Sequence, residues 1–341
     1  MNRYFRYAAA LVMTMAVTGL LASCSRQGDF IDTGHSRSIH MIVKMNRGDY
    51  WNTVKLGAEA AAREFNVDLT FKAPEAETDI EGQIRMVEES IAGKADAIIL
   101  AASSYMGLAQ AVDQASYSKI PVISVDAEVA SARVLSYVGS NGYEAGQKSA
   151  ERLIKLLGGR GEIGILNFTS VVEQSEGKRS GSVIDYGARD ADEREKGFLN
   201  YVARYPNVRV VEILYTTSDI ENARQLTREL LRKHPSLDGL ATLNETASQG
   251  AGQMLEELGR TDIRMVAFDS SPTTMEMLQA GTVQATVIQN PFSNGYLAVR
   301  QAVEALQGKD ISERVDTGTK LIDLDNMLWP ENQKLLFPFV K

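Results

Sequence analysis

The polar residues that stand just past apolar strand-like runs are the ones able to do chemistry in this sequence. Asp126 follows Pro121 to Val125, Asn244 follows Leu240 to Leu243, Asp269 follows Met265 to Phe268, and Gln289 follows Val283 to Ile288. Carboxylates and amides at such places accept and donate hydrogen bonds to hydroxyl groups. Tyr50 and Trp51 come after the first strand-like run; flat aromatic faces suit the C–H faces of a sugar ring, and each carries a polar handle. Taken singly, each polar residue reads equally well as a helix cap, and the aromatics as core. Their convergence is what points to a binding site.

Enzyme readings fail on spacing. Gly158-Gly159-Arg160-Gly161 follows a helix and precedes a strand, the reverse of a dinucleotide fingerprint. Gly177-Lys178-Arg179-Ser180 has Val172 where a phosphate-binding loop needs glycine. The histidines are His35, His40 and His234, with no zinc-ligand spacing among them, and no Gly-x-Ser-x-Gly elbow occurs. No cofactor is implied and no enzyme is expected. A hydrolase working through Asp126 and Asp269 alone is a minor alternative.

The elements that must position these residues are best seen from Ile263 to Pro291. Met265 to Phe268 is a short strand that delivers Asp269, Ser271-Pro272 opens a helix that closes at Gly281, and a second strand runs into Gln289-Asn290-Pro291, where proline ends ladder pairing. Side chains at the carboxyl ends of neighbouring parallel strands face one crevice, the place where open α/β sheets bind ligands. The same alternation fills the chain. Strands are expected at Ile39 to Met45, Val67 to Phe71, Ala97 to Leu100, Pro121 to Val125 and Val134 to Val138, with helices at Trp51 to Phe65, Thr78 to Ala92 (capped by Thr78) and Tyr105 to Tyr117. From Tyr143 a second set begins, with helices at Tyr143 to Leu157, Arg194 to Tyr205, Ile220 to His234 and Ala247 to Leu258 and, after Pro291, Gly295 to Gln307. Its first strands are Ile163 to Asn167, Val208 to Leu214 and Leu240 to Leu243, and Phe168 to Asp192 is read as a long loop. The pattern implies parallel sheets covered on both faces.

The chain has 341 residues, 44% hydrophobic and 23% charged, enough for two domains with their own cores. Arg3 and Arg6, the uncharged run Tyr7 to Leu21 and then Leu21-Ala22-Ser23-Cys24 describe a secretory leader over residues 1–23. Leu-Ala-Ser-Cys resembles the lipobox of bacterial lipoproteins, which implies cleavage before Cys24 and a lipid on it. Cys24 is the only cysteine, so no intrachain disulfide can form. Removing residues 1–23 takes away Arg3 and Arg6 and no acid, moving the formal net charge from −8 to −10. That balance argues against a nucleic-acid partner and a polybasic membrane patch. Residues 24–37 read as a tether.

In order and spacing, several segments together resemble the type I periplasmic sugar-binding proteins, the ribose-binding-protein group that serves ABC importers. They are Asp49-Tyr50-Trp51, Ile120 to Asp126, Val138 to Asn141, Arg194-Glu195-Lys196-Gly197-Phe198, Leu243-Asn244-Glu245, Val266 to Asp269 and Ile288 to Pro291. The resemblance implies two Rossmann-like lobes joined by a three-strand hinge, residues 38–140 plus 290–318 and residues 141–289 plus 319–341. It implies stacking by Tyr50 and Trp51 and hydroxyl contacts from Asp126, Asn244, Asp269 and Gln289. An arginine of the second lobe joins them in the family; Arg194 is taken for that place, with Arg189 as the other candidate. Ala127 stands where ribose binders have arginine, and Asp192 where the second-lobe motif has another, so ribose is not the expected ligand. The function expected is capture of a small sugar or polyol by a lipid-anchored, extracytoplasmic monomer that delivers it to an ABC permease. The alternative is a sensing subunit of the same fold acting on a membrane histidine kinase or chemoreceptor.

Overall fold

A computed structural model of the chain describes residues 36–169 and 187–336. The leader, Cys24 and the tether up to residue 35 lie outside the described residues, as do residues 170–186 of the long loop and residues 337–341. Among the described residues no helix is long and apolar enough to cross a membrane.

The first sheet holds β1 (Ser38–Ile42), β2 (Asp68–Lys72), β3 (Ala97–Leu100), β4 (Val122–Val125), β5 (Val134–Gly139) and β11 (Arg314–Asp316), ordered β11-β5-β4-β3-β1-β2. All its pairings are parallel. The second holds β6 (Gly161–Phe168), β7 (Val208–Thr216), β8 (Gly239–Thr242), β9 (Arg264–Phe268), β10 (Ala285–Ile288) and β12 (Lys320–Ile322), ordered β12-β10-β9-β8-β6-β7. Only the β10–β12 edge pair is antiparallel. Each sheet is therefore the centre of an α/β lobe, as expected. Central strands such as Ala97–Leu100 and Ala285–Ile288 are buried along their whole length. Helices cover both faces, so such strands are continuously apolar rather than alternating.

The helices are α1 (Asp49–Phe65), α2 (Ile80–Ala92), α3 (Ala109–Tyr117), α4 (Gly142–Leu156), α5 (Arg189–Val202), α6 (Ile220–Lys233), α7 (Glu245–Glu257), α8 (Pro272–Ala280), α9 (Pro291–Leu306) and α10 (Pro330–Leu336). Local signals explain several ends. Ser271 caps α8 with Pro272 in its first turn, and Gly281 closes it at φ 84°. Asn290 caps α9, so Pro291 begins a helix as well as ending a strand.

Several expectations are corrected: β1 ends at Ile42 rather than Met45, and α9 begins at Pro291 rather than Gly295. Asp79, not Thr78, caps α2, accepting from the Gly82 amide at 2.8 Å, and a β-carbon on Gly82 would collide with that carboxylate. α3 starts only at Ala109, because Gly107 donates to the Ser104 hydroxyl in a preceding turn. α5 starts at Arg189, earlier than expected; Asp190 and Asp192 fall in its first turn, where carboxylates favour a helix.

Glycines set the key helix crossings, and the same device occurs in both lobes. Where α1 meets α9, a β-carbon on Gly57 would lie 2.0 Å from the Phe292 carbonyl oxygen and one on Gly295 1.9 Å from that of Val54. Where α4 meets α5, a β-carbon on Gly146 would lie 1.9 Å from the Arg194 carbonyl oxygen and one on Gly197 2.0 Å from that of Tyr143. Backbone touches backbone at both crossings. Gly146→Ala must therefore push α5 away, and a cost of about 3 kcal/mol is expected in urea unfolding. An unchanged midpoint would contradict the crossing described.

Candidate functional site

The carboxyl ends of both sets of strands open on one cavity of about 420 Å³. Tyr50, Trp51, Asp126, Arg194, Asn244, Asp269 and Gln289, the residues named from sequence, all line it. Lys44, Glu77, Phe168, Asp190 and Glu245 line it too and were not foreseen.

Asp126 and Asp269 occupy matching places. Each follows the end of a strand, β4 or β9, with φ of 62° and 64°. Each backbone amide donates to the next strand, Asp126 to the Val138 carbonyl at 2.9 Å and Asp269 to the Val287 carbonyl at 2.8 Å. Aspartate tolerates the left-handed conformation better than most residues with a β-carbon. The kink turns each carboxylate off the strand and into the cavity wall. Asp126 accepts a very short hydrogen bond from the Tyr50 hydroxyl, which itself accepts from Asn294 at 3.0 Å. Asp269 accepts from the Gln289 amide at 2.8 Å.

Two buried cations stand among these acids. Lys44 Nζ, just beyond β1, lies 2.7 Å from Asp190 and 3.4 Å from both Glu77 and Asp126. Arg194 donates to the Leu243 carbonyl at 2.9 Å, pairs with Asp190 at 3.4 Å and lies over the Phe268 ring. Its Nε has no hydrogen-bond partner among the described residues. Phe168 faces both Lys44 and Arg194, at 5.4 and 5.6 Å from its centroid. Arg189, the other candidate arginine, pairs instead with Glu193 and packs over Tyr105, away from this lining.

Burial works against charge throughout. It raises Asp269 to about 6 despite Arg194 and Gln289, and it raises Glu245 to about 7. Asp126 and Glu77 are also raised, burial outweighing Lys44. Asp190 goes the other way: burial would raise it, but Lys44 and Arg194 together hold it below the ordinary aspartate value. Burial would likewise lower Lys44, yet Asp190, Glu77 and Asp126 keep it above its ordinary value and fully protonated.

The aromatic pair meets edge to face, with centroids 5.1 Å apart and planes at 89°. Only one of the two rings can therefore lie flat on a given ligand ring; the other borders it. Asn244 caps α7 through the Ala247 amide at 2.9 Å and donates to Ser218 at 3.1 Å, so the plain capping role and the cavity position hold together. Among the described residues no group of histidine, cysteine, aspartate and glutamate is placed to hold a metal ion.

The unforeseen residues left uneven traces in the sequence. Lys44 is a lone cation within the apolar run Ile39 to Met45, a signal that was there to be read. It supplies, beside Asp126, a cation that Ala127 cannot. Asp190 fell inside a stretch read as loop. Glu77 has no local signal: it is buried because Ser218, from the other lobe, donates to it at 2.5 Å.

The profile for a periplasmic binding protein domain matches residues 39–310. The chain is 26% identical to the D-apiose import binding protein of Actinobacillus succinogenes, over 84% of this chain and 88% of that one. It is 27% identical to the periplasmic protein TorT of Escherichia coli, over 79% and 72%. A carbohydrate transporter solute binding protein from Agrobacterium radiobacter, solved in complex with D-arabinose, superposes with a TM-score of 0.82 at 27% identity, covering 88% of this chain and 99% of its own.

Lys44→Ala would leave buried Glu77 and Asp126 without their cation and Asp190 with Arg194 alone, a loss of about 3 kcal/mol or more. The sign with pH follows from Asp190, which Lys44 lowers: a lowered carboxyl stabilises above its ordinary pKa, and that share vanishes in the variant. The deficit against the parent should thus be larger at pH 8 than at pH 5, where the orphaned acids take up protons. Thermal unfolding at the two pH values checks this.

Proposed function

The chain belongs to the periplasmic binding protein family, and on that premise we propose that it is an extracytoplasmic binding protein. It captures a small sugar or polyol between its lobes and delivers it to the permease of an ABC importer. The observation that carries this reading is the pair Asp126 and Asp269, one from each sheet, both kinked out of their strands towards one cavity bordered by Trp51. A sugar hydroxyl donates and accepts at once, and this lining offers both kinds of partner. Asp269 has one carboxylate oxygen beyond the one that Gln289 uses, Arg194 Nε is a buried donor, and the Trp51 ring suits a C–H face. Asn244 and Gln289 contribute amides, and Tyr50 holds Asp126 in place while bordering the ligand.

Ligand contacts to both lobes favour the closed form by their differential affinity. The chain crosses between the sheets after β5, after β10 and between β11 and β12, and these connections serve as the hinge. Ser140 in the first donates to Gln289 in the second at 3.2 Å and lies 3.3 Å from the Gly318 carbonyl of the third. Lobes of 38–140 plus 290–318 and 141–289 plus 319–341 follow from that assignment. Cys24 carries the lipid that holds the monomer at the membrane beside its permease. Labelled fatty acid should enter the parent and be lost in Cys24→Ser.

Five carboxyl groups line the cavity against three cations, the buried Lys44 and Arg194 and the exposed Arg47, so acidic sugars should be excluded. Calorimetry against pentoses, hexoses, deoxysugars, polyols and their uronates is expected to give one saturable neutral ligand, with the uronate at least tenfold weaker. Asp269→Asn should weaken that ligand ten- to a hundredfold, the range of a hydrogen bond to a charged group. Trp51→Phe should remove the fluorescence change on binding. A panel with no saturable sugar would overturn this reading.

A further inference from the structure

Helix α1, which carries Tyr50 and Trp51, lacks a cap of its own. Its N-cap is Gly48, at φ 95° and with no side chain to offer. The Asp49 amide donates to Glu245 Oε1 at 3.1 Å and the Tyr50 amide to Glu245 Oε2 at 2.8 Å, from a residue at the start of α7 in the other lobe. A β-carbon at position 48 would come within 3.6 Å of that carboxylate. Gln249, one turn along α7, donates to Glu245 Oε1 at 3.0 Å and fixes its direction. Glu245 is 6% exposed. Its carboxyl oxygens thus sit at the amino ends of two helices, one from each lobe, where free amides need acceptors.

We infer that Glu245 is a positioning residue that caps α1 across the cleft, so that closing the lobes completes this helix and seats Tyr50 and Trp51 against the ligand. The inference rests on the binding-protein reading above. In an open form the Asp49 and Tyr50 amides would face water and Glu245 would be solvated.

Closure then takes up a proton. The groups facing Glu245 are Asp49 from α1 and Asp269 from the end of β9; of the cations in the lining, Lys44 and Arg194 are tied to Asp190 and Arg47 to Asp219. Burial raises Glu245 to about 7, against the amide bonds from Tyr50 and Asp49 and with help from Asp269. A solvated glutamate titrates near about 4.3. A group raised in the closed form favours closure fully below its open-form value, and that share is lost as pH rises through the closed-form value. Closure therefore weakens between about pH 5 and pH 8. Asp269 adds in the same direction, so the Glu245 share must be isolated by comparison with a variant.

The test uses the full chain and Glu245→Gln, which keeps the size and loses the titration, with circular dichroism to establish that both fold. Two readouts are taken from pH 5.5 to pH 8: affinity for the sugar found in the panel, and the radius of gyration of the ligand-free protein by X-ray scattering. The variant stays neutral at every pH, so it should match the parent at pH 5.5 and bind about tenfold more tightly at pH 8, the ratio of variant to parent Kd falling by on the order of tenfold between the two. The ligand-free parent should be more compact at pH 5.5 than at pH 8, and the variant should change less between the two, Asp269 being the raised group that it keeps. A Kd ratio that stays constant with pH would overturn the cap, even with a sugar bound. If no sugar binds, the transport reading fails separately, and scattering decides the cap: parent and variant curves that coincide at every pH would sink it.

Discussion

A fully buried ammonium is the constraint on which the rest of this site depends. Lys44 cannot leave water unless carboxylates replace its hydration, and the nearest of them, Asp190, comes from the other lobe. Glu77 and Asp126 complete the shell from its own side. The closed arrangement therefore requires acids on both faces of the cleft. Those acids in turn are buried beyond what two cations can neutralise, which is why Asp269 and Glu245 titrate so high. The lining is a balance of desolvation against pairing, and moving any one of these groups shifts the others.

Each lobe solves its positioning problem by the same means. A strand ends, an aspartate adopts the left-handed conformation, and the amide of that aspartate continues the ladder onto the next strand. A pair of helices crosses so closely that only glycine fits at the contact. In the first lobe the crossing sets the helix that begins with Tyr50 and Trp51; in the second it sets the helix that carries Asp190 and Arg194. Aromatic wall and arginine are thus placed by backbone contact as well as by packing, Tyr50 and Trp51 in the first lobe's core and Arg194 on Phe268, which leaves little room for either to drift.

How much of this was legible follows from the range of the forces involved. Strand and helix alternation, the two sheets and the residues at strand ends were readable because periodicity and caps are local; Ser271-Pro272 and Gly281 bound their helix as read. Asn244 was seen both as cap and as cavity residue and is both. Thr78 was misread since Asp79 competes for the same helix end with a charge that suits it better. The start of α5 was missed because its first turn is acidic and polar, which resembles loop composition. Glu77 and Glu245 owe their places to the opposite lobe, and no window of sequence contains that information.

Pairs drawn from both sides join the lobes, and some of their members also line the cavity. Lys44 with Asp190, Glu77 with Ser218 and the Tyr105 amide with the Gly187 carbonyl all join the lobes directly. On the proposed closing motion, such contacts would lower the cost of closing for every ligand alike and so raise affinity without adding selectivity. On the same proposal, selectivity would come from groups whose partners the lobes do not supply, of which Arg194 Nε is one. A ligand that leaves it unmatched forfeits a buried hydrogen bond, a larger loss than any surplus contact elsewhere would recover. On that proposal the division of labour is physical: charge pairs would set how readily the cleft closes, and the few unpaired donors and acceptors would decide on what.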